Sequence, residues 1–278
     1  MFDLTGEFWD LFGGIPAHER LVVFLCGAGL GNEKYKQREE VKNFLKSLKS
    51  VDVVLGEDLL DKKKRGLRLN LLSRQVDKDL LTVELRLALF AQLTVLMPEG
   101  PGAFAELGTF STFEQMRQKL YVFVDQQYHK NESYVARGPL SIVAKRNSMA
   151  VCYYPASNVS GVFHHLLYAV AFSKYLKFNR IPEAKISVAR TWFNDLMAYT
   201  AIRISEPTDF SKISRITGFN RSTLGQAMKR LRADHKIIEF ARDKKIITNG
   251  KVVTSPFWRP KTISSRRLSK LRARFYGV

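Results

Sequence analysis

The stretch Leu93–Phe110, LTVLMPEGPGAFAELGTF, decides the fold. Leu93–Met97 is a five-residue apolar run, the length of a buried strand. Pro98, Gly100, Pro101 and Gly102 then interrupt regular structure. An amphipathic helix is expected from Phe104, with Glu106 in its first turn. Open α/β sheets bind ligands where strands end and the next helices begin. Glu106 therefore has two readings. It is a reactive carboxylate beside backbone N–H groups able to receive an anion, or it complements the helix dipole, worth under ~1 kcal/mol.

Upstream, Leu21–Cys26 is continuously apolar, as a central parallel strand is. It runs into Gly27-Ala28-Gly29-Leu30-Gly31, a turn whose amides can approach a phosphate or ribose. The spacing is G-x-G-x-G, which a plain strand-to-helix turn also explains. A helix is expected over Glu33–Leu48, then a strand over Val51–Leu55 that ends in Gly56-Glu57-Asp58. The basic loop DKKKRGLR, Asp61–Arg68, lies beside that edge. Asp77–Ala91 reads as a helix whose leucine-rich surface includes Glu84. A carboxylate amid that much leucine either faces water or points into a site.

Downstream, Leu120–Val124 and Met149–Tyr153 read as further strands, with a helix over Gly138–Lys145 between them. Strands alternating with helices at this spacing imply a doubly wound parallel sheet over residues 1–155. Residues 156–204 read as a helical connector made of Val162–Leu176 and Lys185–Ile202. His164 and His165 are adjacent on the first helix and so face different ways, which argues against a shared metal. No metal or cofactor site is expected.

Residues 205–278 read as a winged helix-turn-helix. Phe210–Thr217 and Arg221–Ala233 are its helices, Gly218-Phe219-Asn220 the turn, and Asn249-Gly250 the hairpin turn of the wing. On the second helix Arg221, Ser222, Thr223, Gln226, Lys229 and Arg230 are placed for phosphates and base edges. The tail Lys261–Arg274 adds basic residues and no acidic one.

Charge divides the chain in the same place. Residues 1–145 carry 20 Lys+Arg and 19 Asp+Glu, whereas residues 146–278 carry 25 and 7. Nearly all of the formal +19 therefore belongs to the second half, which points to a polyanionic partner there. Cys26 and Cys152 lie in separate apolar runs and read as buried free thiols. The acidic opening MFDLTGEFWD has no basic n-region, and no apolar run approaches the ~20 residues of a membrane span. A cytoplasmic protein without a membrane partner is expected.

Four segments, FLCGAG (Phe24–Gly29), GEDLL (Gly56–Leu60), LLTVE (Leu80–Glu84) and PEGPGAFAELGTF (Pro98–Phe110), carry a resemblance. Together they resemble the effector subunits of bacterial retrons that have a nucleoside-deoxyribosyltransferase-like domain of Rossmann type. The resemblance implies N-glycosidic chemistry on a nucleotide, with NAD as substrate rather than cofactor, by a toxin held in check until phage infection. It implies as partners a retron reverse transcriptase and the branched RNA–DNA hybrid msDNA, within a higher-order oligomer or filament.

By the motif match Glu106 takes the catalytic position and Glu84 assists it. Cys26, Gly27, Gly29, Glu57, Asp58, Gly100 and Gly102 line the substrate pocket. The DKKKRGLR loop is longer and more basic than in the best-known members. The residues fit this chemistry in their own right, because a carboxylate stabilises an oxocarbenium-like centre or forms a ribosyl ester with it. Nicotinamide leaves a pyridinium as a neutral molecule and needs no strong general acid. A purine base more often needs a proton, and the sequence identifies no donor, His129 lying in a loop. Two alternatives stay open: a nucleoside or nucleotide N-glycosidase or deoxyribosyltransferase, and a DNA-binding regulator that senses a nucleotide without catalysis. GPGAFAELG also resembles the loop of phosphoribohydrolases that release cytokinin-type bases.

Overall fold

The computed structural model describes residues 20–27, 36–48, 51–60, 80–129, 132–155, 158–178, 180–205, 208–234, 237–248 and 251–260, the last two as backbone. The expected helical lead-in, the Gly29 turn, the Asp61–Arg68 loop, Asn249-Gly250 and the basic tail lie outside these residues. The chain divides into two compact units, one ending at Lys174 and the other beginning at Tyr175 on the same helix.

In the first unit five strands form one parallel sheet. They are β1 (Leu21–Gly27), β2 (Val51–Val54), β3 (Leu93–Met97), β4 (Leu120–Asp125) and β5 (Val151–Tyr154), in the order β2-β1-β3-β4-β5. All five residues of β3 are buried, as are six of the seven in β1, so the apolar runs are core strands covered on both faces. The register sets Gly27 beside Met97 at the carboxyl ends of β1 and β3. From β1 the chain passes to β2 on one side and later to β3 on the other. That pair is therefore the switch point at which such sheets open a crevice.

The helices of this unit are α1 (Lys36–Ser47), α2 (Gly56–Leu60), α3 (Leu80–Phe90), α4 (Pro101–Thr112), α5 (Glu114–Arg117) and α6 (Ser141–Arg146). A π-helical turn, Ala136–Leu140, precedes α6 where a single helix from Gly138 was expected. α4 begins three residues before the expected Phe104. Pro101 fits a first helical position because no N–H is needed there, and Phe104 N–H already donates to Gly100 O at 3.1 Å. Glu106 is consequently in the second turn. At that depth the helix-dipole reading of its charge loses its basis.

The following helix, α7 (Phe163–Phe178), begins in the first unit, where Tyr168 meets Tyr121 of β4 at 6.4 Å and Phe163 stacks on Phe44 of α1 at 4.1 Å. Residues 158–174 of the expected connector belong to the first unit, where α7 buries Leu166, Tyr168, Ala169, Val170 and Phe172.

The second unit contains α8 (Ile186–Ser205), α9 (Phe210–Thr217) and α10 (Arg221–Ala233). It also has a three-stranded sheet of β6 (Thr208–Asp209), β7 (Ile237–Thr248) and β8 (Lys251–Pro260), antiparallel in the order β6-β8-β7. The turn between α9 and α10 is closed by local bonds. Gly218 takes a left-handed φ of 72° to end α9, Ser214 Oγ donates to Phe219 O at 2.7 Å, and Asn220 Oδ1 caps α10 by accepting from Thr223 N–H at 2.8 Å. No helix among the described residues is long and apolar enough to cross a membrane.

Candidate functional site

The carboxyl ends of β1, β2 and β3 gather acidic side chains from three helices. Gly56 opens α2 directly after β2, and its missing side chain makes room for Glu84 of α3. A Cβ built on Gly56 would lie 2.8 Å from Glu84 Oε1. The Glu84 carboxyl therefore lies against Gly56 at the start of α2.

Glu106 of α4 lies within hydrogen-bonding reach of Glu84. Burial, the Glu84 charge and the bond between them push the Glu106 carboxyl up to about 8. Glu84 is also raised, chiefly by burial, while its bond from Glu106 works the other way. Both carboxyls are thus held toward their protonated forms, Glu106 the more strongly. Oε2 of Glu106 is buried and accepts no hydrogen bond among the described residues.

Arg38 of α1, 1% exposed, reaches the same site from inside the protein. It donates to both oxygens of Glu57, at 2.6 and 2.9 Å, and to Leu25 O of β1 at 3.1 Å. Burial opposes ionisation of Glu57, but the Arg38 bonds, a backbone bond and the Arg38 charge outweigh it and hold that carboxyl below its ordinary range. Asp58 accepts from Leu55 N–H at 3.2 Å, a local bond at the start of α2. Cys26 is buried, and its thiol is raised well above the ordinary value by burial first and then by Glu106 and Glu84. Gly27, φ 153°, ends β1. Gly100 is the N-cap of α4, and Gly102 is exposed with open space where a side chain would be.

A further acid, Glu99, lies at the same rim. Glu99, between Pro98 and Gly100, accepts from Tyr154 Oη of β5 at 3.3 Å. Burial raises it to about 7 against the opposing effects of Tyr154 and Arg38, and Oε2 of Glu99 is buried without a partner among the described residues. Sequence reading missed Arg38, Glu99 and Tyr154. Glu99 lies inside the deciding stretch, at a strand's carboxyl end, and that position was the available signal. Arg38 lies in KQREE, where nothing local sets a buried arginine apart from its solvated neighbours. Among the described residues no group of three His, Cys, Asp or Glu could hold a metal. The rings of His164 and His165 do meet, centroids 4.3 Å apart, and burial lowers both.

On α10 the candidate nucleic-acid residues separate. Arg221, Ser222, Gln226 and Lys229 are exposed, and Thr223 is buried. Arg230 binds both oxygens of Asp195 on α8, with bonds of 2.7 to 3.0 Å. Its guanidinium serves the packing of α10 on α8.

Residues 34–247 match the family model described as STM3845 retron effector protein. The chain belongs to the STM3845 retron effector family. It is similar to two proteins of Escherichia coli. One, named "Retron Ec86 putative ribosyltransferase/DNA-binding protein", is 34% identical over 135 residues, 49% of this chain and 41% of that protein. The other, "Retron Ec73 putative ribosyltransferase/DNA-binding protein", is 27% identical over 137 residues, 49% of this chain and 42% of that protein. The chain spans about two fifths of the length of the curated relatives it matches.

Proposed function

We propose that this retron effector is an N-glycosidase that cleaves the ribosyl C–N bond of NAD. It acts as the toxin of an anti-phage defence system and is held in check by the retron reverse transcriptase and msDNA. The observation that carries the reading is the half-buried Glu84–Glu106 pair at the switch point of the sheet. Membership of a retron effector family and the ribosyltransferase names of its relatives support it.

A carboxylate of this half-buried pair offers negative charge where a developing positive charge gains more than in water. A cationic nicotinamide riboside lowers the proton affinity of Glu106, whose proton then passes to Glu84. The Glu106 carboxylate attacks C1′, or stabilises it, while the C1′–N1 electron pair stays on the ring nitrogen and neutralises the pyridinium. Water then adds to C1′, any C1′–O bond to Glu106 breaks with its electron pair returning to the carboxylate, and the water proton goes to the pair. Glu57, held by Arg38, is placed for a ribose hydroxyl at the end of β2. In the second unit, α10 and the strands after it act as a winged helix on nucleic acid, through Arg221, Ser222, Gln226 and Lys229.

Glu99 favours a second reading. A carboxyl raised to about 7 at the rim can protonate a leaving base, the donor that a purine nucleoside needs. Purified protein incubated with NAD, nucleosides and nucleotides separates the two. Nicotinamide and ADP-ribose as products support the first, free purine or a transferred sugar supports the second, and no turnover of any substrate, with or without the retron partners, overturns both.

A further inference from the structure

We propose that Arg38 is the positioning residue of this site: it fixes the exit of β1 and Glu57 in one place and sets a buried positive charge against the Glu84–Glu106 carboxyls. The proposal rests on reading Glu106 as the catalytic carboxylate and adds the residue that makes its ionised form attainable.

Four contacts carry it. The Arg38 side chain is 2% exposed whereas the Glu57 side chain is 48% exposed, so the guanidinium is the inner and the carboxylate the outer member of the pair. Its bond to Leu25 O ties it to the last turnings of β1. Its stem fills the space beside Gly27, where an added Cβ would lie 3.1 Å from Arg38 Cδ and 3.0 Å from Met97 O. One residue before Glu57, Gly56 lies against Glu84. The contacts therefore run from Arg38 through Glu57 and Gly56 to Glu84 and Glu106.

Burial makes Arg38 matter electrically. A charge pair in a protein interior is screened far less than one in water. The acids that face this arginine are Glu57 of α2, Glu84 of α3, Glu106 of α4, Glu99 of the β3–α4 loop and Cys26 of β1. Its charge favours the ionised form of Glu57, Glu84, Glu99, Glu106 and Cys26 alike. Lys42 acts on Glu57 from the same helix, and Asp125 acts on Glu99. Glu57 opposes Arg38 at the pair, raising both Glu84 and Glu106. A lysine in place of Arg38 could keep the charge but not the fork that holds Glu57 and Leu25 O together.

The test is a carboxyl titration of the full chain by carbon NMR without substrate, with Glu106 assigned from its absence in Glu106→Gln. Arg38→Met should move the Glu106 midpoint up. Arg38→Lys should restore most of that shift while raising KM. Glu57→Gln, a half-exposed change that keeps Arg38 in place, should move the midpoint down. The pH at half-maximal kcat/KM for NAD should follow in the same directions. A midpoint unmoved or raised in Glu57→Gln overturns the proposal even if the Arg38 variants fail to fold. So does an Arg38→Met protein that loses activity equally at every pH with an unmoved titration. If wild-type protein does not cleave NAD, the substrate reading fails, and the substrate-free titration still decides the role of Arg38.

Discussion

Glu84 of α3 and Glu106 of α4 share a hydrogen bond at the carboxyl ends of β1 and β3, and burial raises both carboxyls. The two side chains come from helices on either side of β3 in sequence. They meet because Gly56 leaves space for Glu84 and because α4 starts at Pro101, which places Glu106 a turn further into the helix.

Glu106→Gln should abolish glycosidic cleavage, by ~10³-fold or more, while leaving the fold intact. It should also stabilise the protein in a pH-dependent way. The folded carboxyl titrates near 8 against an ordinary 4.5, so the native state binds more protons than the unfolded chain between those values. Wild-type stability from this group is therefore whole below pH 4.5 and falls as pH rises through 8. Gln escapes that loss. Its advantage should grow over this window to about 1–3 kcal/mol, limited by the proton shared with Glu84. Thermal unfolding from pH 4 to pH 9 checks it; a variant that tracks wild type throughout would show that Glu106 is not raised.

Glu84→Gln should lower kcat less than the Glu106 change and should move the rate profile. Removing the Glu84 charge takes away the second-largest cause that holds Glu106 protonated, so the rise in kcat/KM should shift to lower pH. An unshifted profile with unchanged KM and kcat would remove Glu84 from the site.

Tyr154→Phe should raise the titration midpoint of Glu99 above about 7, because the phenol donates to the ionised carboxylate and favours it. The lost bond should cost about 1 kcal/mol of stability. Carbon NMR of the Glu99 carboxyl reads the shift, and an unmoved midpoint would show that the 3.3 Å contact contributes nothing.

Arg221→Ala and Lys229→Ala should weaken nucleic-acid binding and each reduce the salt slope by roughly 0.9 on duplex DNA. Arg230→Ala should behave differently. It breaks the bond to Asp195, so it should lower stability by about 1–2 kcal/mol and leave the salt slope in place. Binding across a salt series beside a melting curve separates the two outcomes. A slope change for Arg230→Ala equal to that of Lys229→Ala would show that its guanidinium leaves Asp195 for phosphate.

Sequence by itself determined the elements of the parallel sheet and the helix pair Phe210–Thr217 and Arg221–Ala233, since their signals are local. Continuous apolar runs of strand length mark the buried strands, and Asn220 and Gly218 mark the helix ends. It also placed Glu57 and Glu106 at strand exits, because a βαβ rim follows from element order alone. The tertiary structure decided what surrounds those acids. Where the Glu84 carboxyl lies depended on a space at Gly56, twenty-eight residues away in sequence. Glu99 acquired its raised carboxyl from burial, against the bond it receives from Tyr154 across the sheet, and Arg38 became the inner cation only when α1 laid it against Leu25 and Glu57. Arg230, which on helical spacing alone belongs with Arg221 and Lys229, was claimed by Asp195 of another helix. A proton affinity or an ion pair depends on distance and on exclusion of water, and neither is written in the spacing of one segment.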